Sequence, residues 1–577
     1  MRATIRDSFV GQVINAVSNG RLLPYPEEEP GFVLPPQYQR PDKGASPLSR
    51  PRLFVLGETP VSEVPTPSHT PVTGEVEANP NLVTWYGPDD PENPMNWSTG
   101  KKCWLTFTIM LLTTSIYMGS SIWAPAIEQG AEYFHVGLVA STLGISLFVL
   151  GYATGPLFLS PITEIPAIGR TSPYIVTLLV YCVLQLPNAL VTNFPGFCVL
   201  RFLSGFVGSP ALATGGASLS DTFAPHKLPY AMALYNLAAA SAPGLGPILS
   251  GFAVDVLGWR WAFWEMLLLS AGSLIILSFT MPETSADTIL CRRAARLRRL
   301  TGNPHLRSAS EIAQAHLSAR ELLVQALIRP LYMTVTEPII IAINIYIGLL
   351  YAVLYSFFES FPIVFAEGYG WSLGVSELPF AGILVGEIAG LGVYMWWNRV
   401  AYEGMCKRVH GHIEPEKTLT MSLPGAVVLP IAIFWFGWTA NRTHWLSPVF
   451  AAGLFGFVID WLFAPFLTYL TYAYPQYAAS ALASNDFVRS LFGAGMPLAS
   501  QPLFHNLGVA WGNTILGCCG VLFVPLPWVL IRLGPWLRER SPMAVHDAEI
   551  LAARSAVDEG EKARVASMAG VEGEVGV

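Results

Sequence analysis

At 577 residues the chain could hold three or four soluble domains, yet 52% of it is hydrophobic and only 13% is charged, against ~25% charge in a soluble domain. Polar groups are too few to cover a water-exposed surface of that size, which excludes an ordinary soluble fold and leaves lipid as the solvent. The net charge of −7 matters less than where the charges sit.

Residues 1–102 contain no membrane-length apolar run and are rich in proline, as in PYPEEEPGFVLPPQYQRP and VPTPSHTPVTG. Such a segment buries too little apolar surface to offset its ordering entropy, and a largely disordered cytoplasmic tail is expected. The N-terminus lacks the apolar core of a cleaved signal, so the first span should act as its own insertion signal. In DDPENPMNWS (89–98), Asn96 or Ser98 is placed to cap a helix entering the membrane, and Trp97 suits the lipid interface.

A helix needs ~20 apolar residues to cross the hydrocarbon. Such runs fall at 103–125, 138–160, 172–191, 197–220, 230–255 and 262–281, then at 338–361, 374–396, 422–440, 447–472, 480–507 and 510–533. The prediction is an all-α polytopic membrane protein of twelve transmembrane helices: an N-terminal six-helix bundle (103–281), a cytoplasmic central loop (282–337), a C-terminal six-helix bundle (338–533) and a polar cytoplasmic tail (534–577). With the N-terminus inside, the inner loops carry fourteen Lys and Arg residues and the outer loops only Arg260 and Arg442, which places both termini in the cytoplasm. The basic run RRAARLRRL (292–300) reads either as a short helix on the anionic inner leaflet or, preferably, as a topology determinant in a connecting loop. Two six-helix halves around a central site are a transporter layout.

Seven scattered cysteines, mostly within apolar runs, suggest neither a disulfide framework nor a zinc site. No phosphate-binding GxxxxGK[ST] loop, HExxH or GxSxG occurs, and HGH (410–412) sits in a polar loop. An enzyme is not expected, and no metal, cofactor or nucleic acid is implied.

Five stretches carry chemistry. In GYATGPLFLSPITEIPAIGRTSPY (151–174), Gly155 and Pro156 permit close helix approach, while Glu164 and Arg170 set opposite charges at the membrane face; such a charged turn can pair with neighbouring helix ends and part when the halves rotate. In RFLSGFVGSPALATGGASLSDTF (201–223), Arg201 lies inside an apolar segment, where an unpaired charge costs at least ~2.5–3.5 kcal/mol; it is either a snorkelling anchor at a helix end or a functional group facing a wet interior. In ALYNLAAASAPGLGPILSGF (233–252), Ala238, Ala242, Gly246 and Ser250 form a small-residue ridge for tight packing, bent by Pro243 and Pro247. In span 7, Tyr351, Tyr355 and Glu359 share one helical face, as cavity lining, as an outer gate or, for Glu359, as a surface carboxylate. In YAYPQYAASALASNDFVRSLFGAGMPL (472–498), Asp486 and Arg489 are spaced to pair beside Asn485. Asp460 and Glu387 are intramembrane acids without an evident partner, hence functional candidates. Asn441-Arg-Thr443 is a glycosylation sequon whose closeness to the membrane disfavours modification.

The pattern GPLxxSPxxEIPxIGR, the span 4 arginine, the span 5 ridge, LLYxxxxSFFESFPIVF and ASNDFVRS occur in the order seen in the major facilitator superfamily, and over about residues 85–540 the chain resembles its fungal twelve-span drug:proton antiporters, the branch conferring resistance to benomyl, methotrexate, azoles and cycloheximide. The resemblance implies the major facilitator fold and a proton-coupled antiporter exporting hydrophobic drugs, fungicides, toxins or secondary metabolites. A polyamine exporter, a nutrient importer and a transporter-like sensor are the alternatives. By resemblance, Gly155, Glu164, Gly169 and Arg170 form the cytoplasmic gate motif, with Thr171 where a second basic residue is usual. Ala242, Pro243, Gly246, Pro247 and Gly251 match the antiporter motif, with Ala242 and Ser250 where glycine is more usual. Arg201 matches the residue implicated in proton coupling; Asp460 and Glu387, where the family has no motif residue, are the acid candidates on their intramembrane position alone. Tyr351, Tyr355, Glu359 and Asn485 are expected at the substrate cavity of a monomer in the plasma membrane, whose partners are small hydrophobic substrates, protons and lipid.

Overall fold

The computed structural model describes residues 2–18, 21–29, 81–224, 226–314, 319–408 and 414–546, with short pieces between 31 and 38. HGH (410–412) and residues 547–577 lie outside them. Backbone polar groups in hydrocarbon must be satisfied within their own segment, and the chain obeys with long helices. The first half comprises Thr99–Ser121, Leu143–Thr163, Thr171–Leu190, the pair Phe194–Gly208 and Pro210–Ser220, Leu228–Leu257 and Trp261–Thr280 (spans 1–6). The second comprises Pro338–Phe361, Phe380–Trp397, Ser422–Thr439, Leu446–Ala473 and the long helix Ala478–Phe523, which Gly508 divides into spans 11 and 12. Gly508 adopts φ 75°, a left-handed conformation that side chains other than glycine's resist, so the chain turns back there. Span 4 is two helices because Pro210 has no N–H to continue the ladder.

Each helix sorts its residues by solvent. Span 3 turns Val176, Leu179, Val183 and Leu190 outward and buries Tyr174, Leu178, Tyr181 and Gln185, an apolar exterior suited to lipid. The halves meet along span 2 against span 11 and span 5 against span 8. Within the second half, spans 8 and 10 approach so closely that Cβ atoms at Gly386, Gly390 and Gly456 would strike the partner's backbone carbonyls.

Ser98, rather than Asn96, caps span 1 by accepting from the Lys101 N–H at 3.4 Å. Trp97 is buried beneath the Lys101 ammonium, 3.8 Å from the ring centre, instead of standing at a lipid interface.

In its described parts the tail is folded where disorder is expected, and the central loop is largely helical. RRAARLRRL lies on the helix Ala286–Thr301, capped by Ser285; Arg293 and Arg296 are buried against protein, whereas Arg299 is exposed. Arg293 donates to Asp90 at 2.7 Å and Glu92 at 2.9 Å, while Arg296 reaches Glu27 at 3.2 Å and Glu92 at 3.1 Å. Arg298 pairs with Glu311 at 2.9 Å. Tyr86 and Tyr25 lie against the guanidinium faces of Arg293 and Arg296, and Leu82–Val83 pairs in parallel with Arg307–Ser308. The acidic residues of the proline-rich tail therefore neutralise the basic helix of the linker. At the other terminus, Leu526–Glu539 is helical, and Arg538, fully buried, holds Glu416 of the span 8–9 loop at 2.8 Å. Tail, linker and C-terminal helix all gather at one end of the molecule, the linker end.

Candidate functional site

Polar side chains inside an apolar bundle are costly unless satisfied, so their positions mark what the fold was built around. Midway along the seam between the halves, Tyr355 of span 7 donates to Ser120 of span 1 at 2.9 Å and exchanges a hydrogen bond with Tyr152 of span 2 at 3.0 Å. Arg489 of span 11 bonds Asp486 one turn earlier and also donates to the Tyr117 hydroxyl of span 1 at 3.0 Å. Its guanidinium lies 5.0 Å from the centre of the Tyr351 ring. Tyr117 packs edge-on against Tyr152, and Tyr351 lies tilted against Tyr355. Asn485 donates to Asn344 at 3.0 Å, and Asn344 to Ser484 at 2.8 Å. All are buried.

The cluster unites Tyr351 and Tyr355 with Asp486 and Arg489, and Asn485 borders it on the same helix. Glu359 lies apart, one turn further along span 7. Tyr117, Tyr152 and Ser120 escape a motif search because Tyr, Ser and Thr recur along spans 1 and 2 without a pattern that picks these three out; only the seam makes them meaningful. The Asp486–Arg489 pair is more than an internal brace, since the arginine crosses to the other half.

The loop between spans 2 and 3 is held from two sides. Arg170 pairs with Asp221, at the end of span 4, at 2.9 Å. Glu283, just after span 6, accepts from the backbone N–H groups of Arg170 and Thr171 at 3.1 and 3.4 Å. Gly169, at φ 80°, lies directly against that carboxylate. Thr171, which replaces a second basic residue, donates to the Pro282 carbonyl at 3.0 Å. The partners of Arg170 belong to the first half and its linker, so this pair braces one bundle rather than bridging two; Glu164, exposed, feels Arg329 of the helix leading into span 7. Gly155 lets span 2 sit against Ser209 and the Phe206 carbonyl of span 4.

Arg201 is not an anchor at a helix end. It is fully buried and donates to the Gly144 carbonyl at 2.6 Å and the Gly119 carbonyl at 2.8 Å, with Phe148 under its plane at 4.6 Å. Among the described residues no carboxylate pairs with it, so the expected arginine–acid contact is absent and spans 1, 2 and 4 are joined instead. Asp460 and Glu387 lie in the other half, both buried on the tight face between spans 8 and 10 and near enough to act on each other's charge. Glu387 Oε1 and Oε2 and Asp460 Oδ2 are enclosed there without a hydrogen-bonding group among the described residues.

The span 5 ridge serves two neighbours. Gly246 meets Ser121 and the Met118 carbonyl of span 1, whereas Gly244 and Gly251 face Phe380 and Glu377 across the seam; Ala242, Pro243 and Pro247 are buried between them. Asn441 is exposed at the end away from the linker, with φ 57°. A hollow of about 380 Å³ lined by Leu186, Pro187, Leu190, Val191 and Leu200 opens on the outer flank of spans 3 and 4; it has no charged lining and lies away from the seam.

Two bundles of six helices meeting around a polar, aromatic midpoint are the layout of a membrane transporter. Residues 109–497 match the Major Facilitator Superfamily, and the chain belongs to that family. It is 42% identical over 469 residues, 80% of its length and 88% of the relative's, to Transporter mfs1 of Schizosaccharomyces pombe. It is 36% identical to the Cycloheximide resistance protein of Candida maltosa, over 94% of this chain and all of that one, and 39% identical to Fluconazole resistance protein 1 of Saccharomyces cerevisiae, over 81% and 86%. Among solved structures, a proton:xylose symporter superposes with TM-score 0.53 at 13% identity, over 75% of this chain and 97% of that one, a likeness of fold alone.

Proposed function

We propose that the protein is a proton-coupled exporter of hydrophobic small molecules. The observation that carries this reading is the buried cluster of Tyr117, Tyr152, Tyr351, Tyr355 and Arg489, whose members touch across the seam. Its rings offer flat apolar faces and its hydroxyls a few directional anchors, the mixture that binds drug-sized ligands. Full-length relatives whose names record resistance to cycloheximide and fluconazole support export over uptake. In this reading the chain works as a monomer in the plasma membrane, with the arginine-bearing linker end toward the cytoplasm.

Opening the seam breaks the bonds of Tyr355 to Tyr152 and Ser120, each worth about 0.5–1.5 kcal/mol net, and the charge-assisted bond from Arg489 to Tyr117, worth about 1.5–3 kcal/mol, a barrier that a bound substrate can offset. Protons drive the cycle only if they bind the two conformations unequally. Glu387 and Asp460 are suited to such coupling, because groups enclosed between spans 8 and 10 without a cation hold charge poorly when packed and readily when wetted. Arg201 then contributes by fixing the shape of the first half.

The test is retention of radiolabelled cycloheximide and fluconazole by pump-deficient yeast expressing the chain, together with untargeted metabolite profiling of the medium. Lower retention, lost on adding a protonophore and lost in Glu387→Gln or Asp460→Asn, is expected. Net accumulation would replace export with import, and unaltered flux with both acids neutralised would remove them from coupling.

A further inference from the structure

One pair of buried acids has no part in that mechanism and lies at the end away from the linker. Span 7 continues into a π-helical turn, Pro362–Gly368, and the chain returns through the short helix Leu373–Ser376. Glu377 follows at once. Its side chain is fully buried, and neither carboxylate oxygen meets a hydrogen-bonding group among the described residues. Glu359, on the last turn of span 7, is 8% exposed and has one oxygen in the same condition. The two carboxylates are close enough to act on each other's charge. Rings enclose them: Phe380 lies 4.4 Å from Phe361 and 5.4 Å from Phe358.

The pair sits on the seam. Gly251 of span 5 is directly beneath Glu377, so that a Cβ there would stand 2.9 Å from the glutamate Cγ, and Gly244, two turns earlier, lies beneath the Phe380 ring. Phe252 of span 5 covers Gly374 in return. Among the described residues, no cation on the elements packed around them offsets the acids. Span 5 carries only Asp255, the π turn only Glu367, and the neighbouring part of span 11 only His505, all exposed; the span 9–10 loop, which rests on the π turn through Asn441 and Thr443, carries Arg442, set over Trp438, and His444, both exposed; Glu387 of span 8 faces Asp460. Tyr355, one turn from Glu359, is engaged with Tyr152 and Ser120. Two neighbouring carboxyls in an apolar seam, with neither donor nor counter-ion, cannot both carry charge there.

We propose that Glu359 and Glu377 form a proton-binding latch on the outer gate: protonated, they let span 5 close on the span 7–8 connection, and on losing the proton they draw in water and part the two. The latch rests on the transport reading for its orientation toward the outside. It also gives Gly251 a role beyond helix packing, because a larger residue would lift Glu377 off span 5.

The test is a pair of spin labels at the outer rim, on Val256→Cys of span 5 and Glu367→Cys of the π turn, both exposed positions, with the native cysteines replaced and the full chain in lipid nanodiscs at pH 5 and pH 9. The expected result is a separated population roughly fivefold larger at pH 9, with Glu377→Gln holding the labels together at both values. Glu359→Gln is the second variant should Glu377→Gln fail to fold, and it should reduce the pH response. A distance distribution indifferent to pH, or a full pH response in Glu359→Gln/Glu377→Gln, overturns the latch. Rim distances need no substrate, so a latch that opens in a chain exporting no drug would count against the transport reading alone, and drug export through a pH-indifferent rim would count against the latch alone.

Discussion

Replacing Arg201 with alanine separates two roles that a buried arginine can have. Its guanidinium makes two charge-assisted hydrogen bonds to carbonyls, at 2.6 and 2.8 Å, each worth about 1.5–3 kcal/mol, and a cation–π contact with Phe148 adds about 1–2 kcal/mol. Removing it also relieves the cost of keeping a cation out of water, several kcal/mol. The balance is a destabilisation of about 2–4 kcal/mol, the range of a large-to-small core substitution. Because the carbonyls belong to spans 1 and 2, the damage should spread through the first half. Fluorescence-detected size exclusion after graded heating should show a clear drop in thermal tolerance for Arg201→Ala and partial recovery for Arg201→Lys, whose single ammonium reaches one carbonyl at a time. Transport should fall in the same order. An Arg201→Ala protein that melts like the parent yet transports nothing would refute the clamp and return the residue to proton coupling.

Tyr355→Phe removes the hydrogen bonds to Tyr152 and Ser120 while keeping the ring, so a few-fold change in apparent substrate affinity is expected, with Tyr355→Ala far worse; equal effects of the two would deny the ring any part beyond its hydroxyl. Gly390→Val places a side chain against Phe457 of span 10, where overpacking costs about 1–3 kcal/mol; a lower folded yield on size exclusion is expected. Asp90→Asn should free the tail from the linker, read as faster hydrogen exchange over residues 82–97. Acid should do the same. Burial raises the Asp90 carboxyl, but hydrogen bonds from Arg293 and from the Tyr86 and Glu92 N–H groups outweigh it and hold the group below its ordinary value near 3.8; the stability it gives is therefore present above that value and lost as the pH falls through the lower, folded one. Exchange that already quickens between pH 7 and 5 would show that this carboxylate is not what holds the tail.

Hydropathy makes the twelve spans legible because each crossing must satisfy its own backbone, and the gap expected between 507 and 510 holds Gly508, where a single positive φ reverses the chain. The gate motif is legible as chemistry but not as geometry. Asp221 and Glu283, which fix Arg170, come from distant loops that no local pattern connects to it. The tail misleads in the opposite way. Proline-rich acidic sequence predicts disorder on composition, yet Glu27, Asp90 and Glu92 are the counter-charges of a basic helix 201 to 269 residues later, and neither half of that pairing is interpretable without the other. Tyr117 and Tyr152 stay silent until two helices from one half are laid against two from the other.

The distribution of buried charge distinguishes the halves physically. Among the described residues of spans 1–6 the one fully buried charge is Arg201, and its donors are met by carbonyls from two neighbouring helices; Glu265 of span 6, half-buried, has one enclosed oxygen without a hydrogen-bonding group. In spans 7–12 and their connections, Glu359, Glu377, Glu387, Asp460 and Asp486 are all buried with at least one oxygen lacking a hydrogen-bonding group among the described residues. A bundle whose one fully buried charge is met by carbonyls has less to gain by opening than one holding several poorly solvated acids, which is stabilised by whatever lets water or a proton reach them. The first half, further braced at the linker end by Arg170, Asp221 and Glu283, is thus the rigid reference, and the second is where a change of protonation can alter the packing. If so, pH-dependent hydrogen exchange should concentrate in spans 7, 8 and 10 and leave spans 1, 2 and 4 unchanged; a uniform response of the two halves would contradict this division of labour.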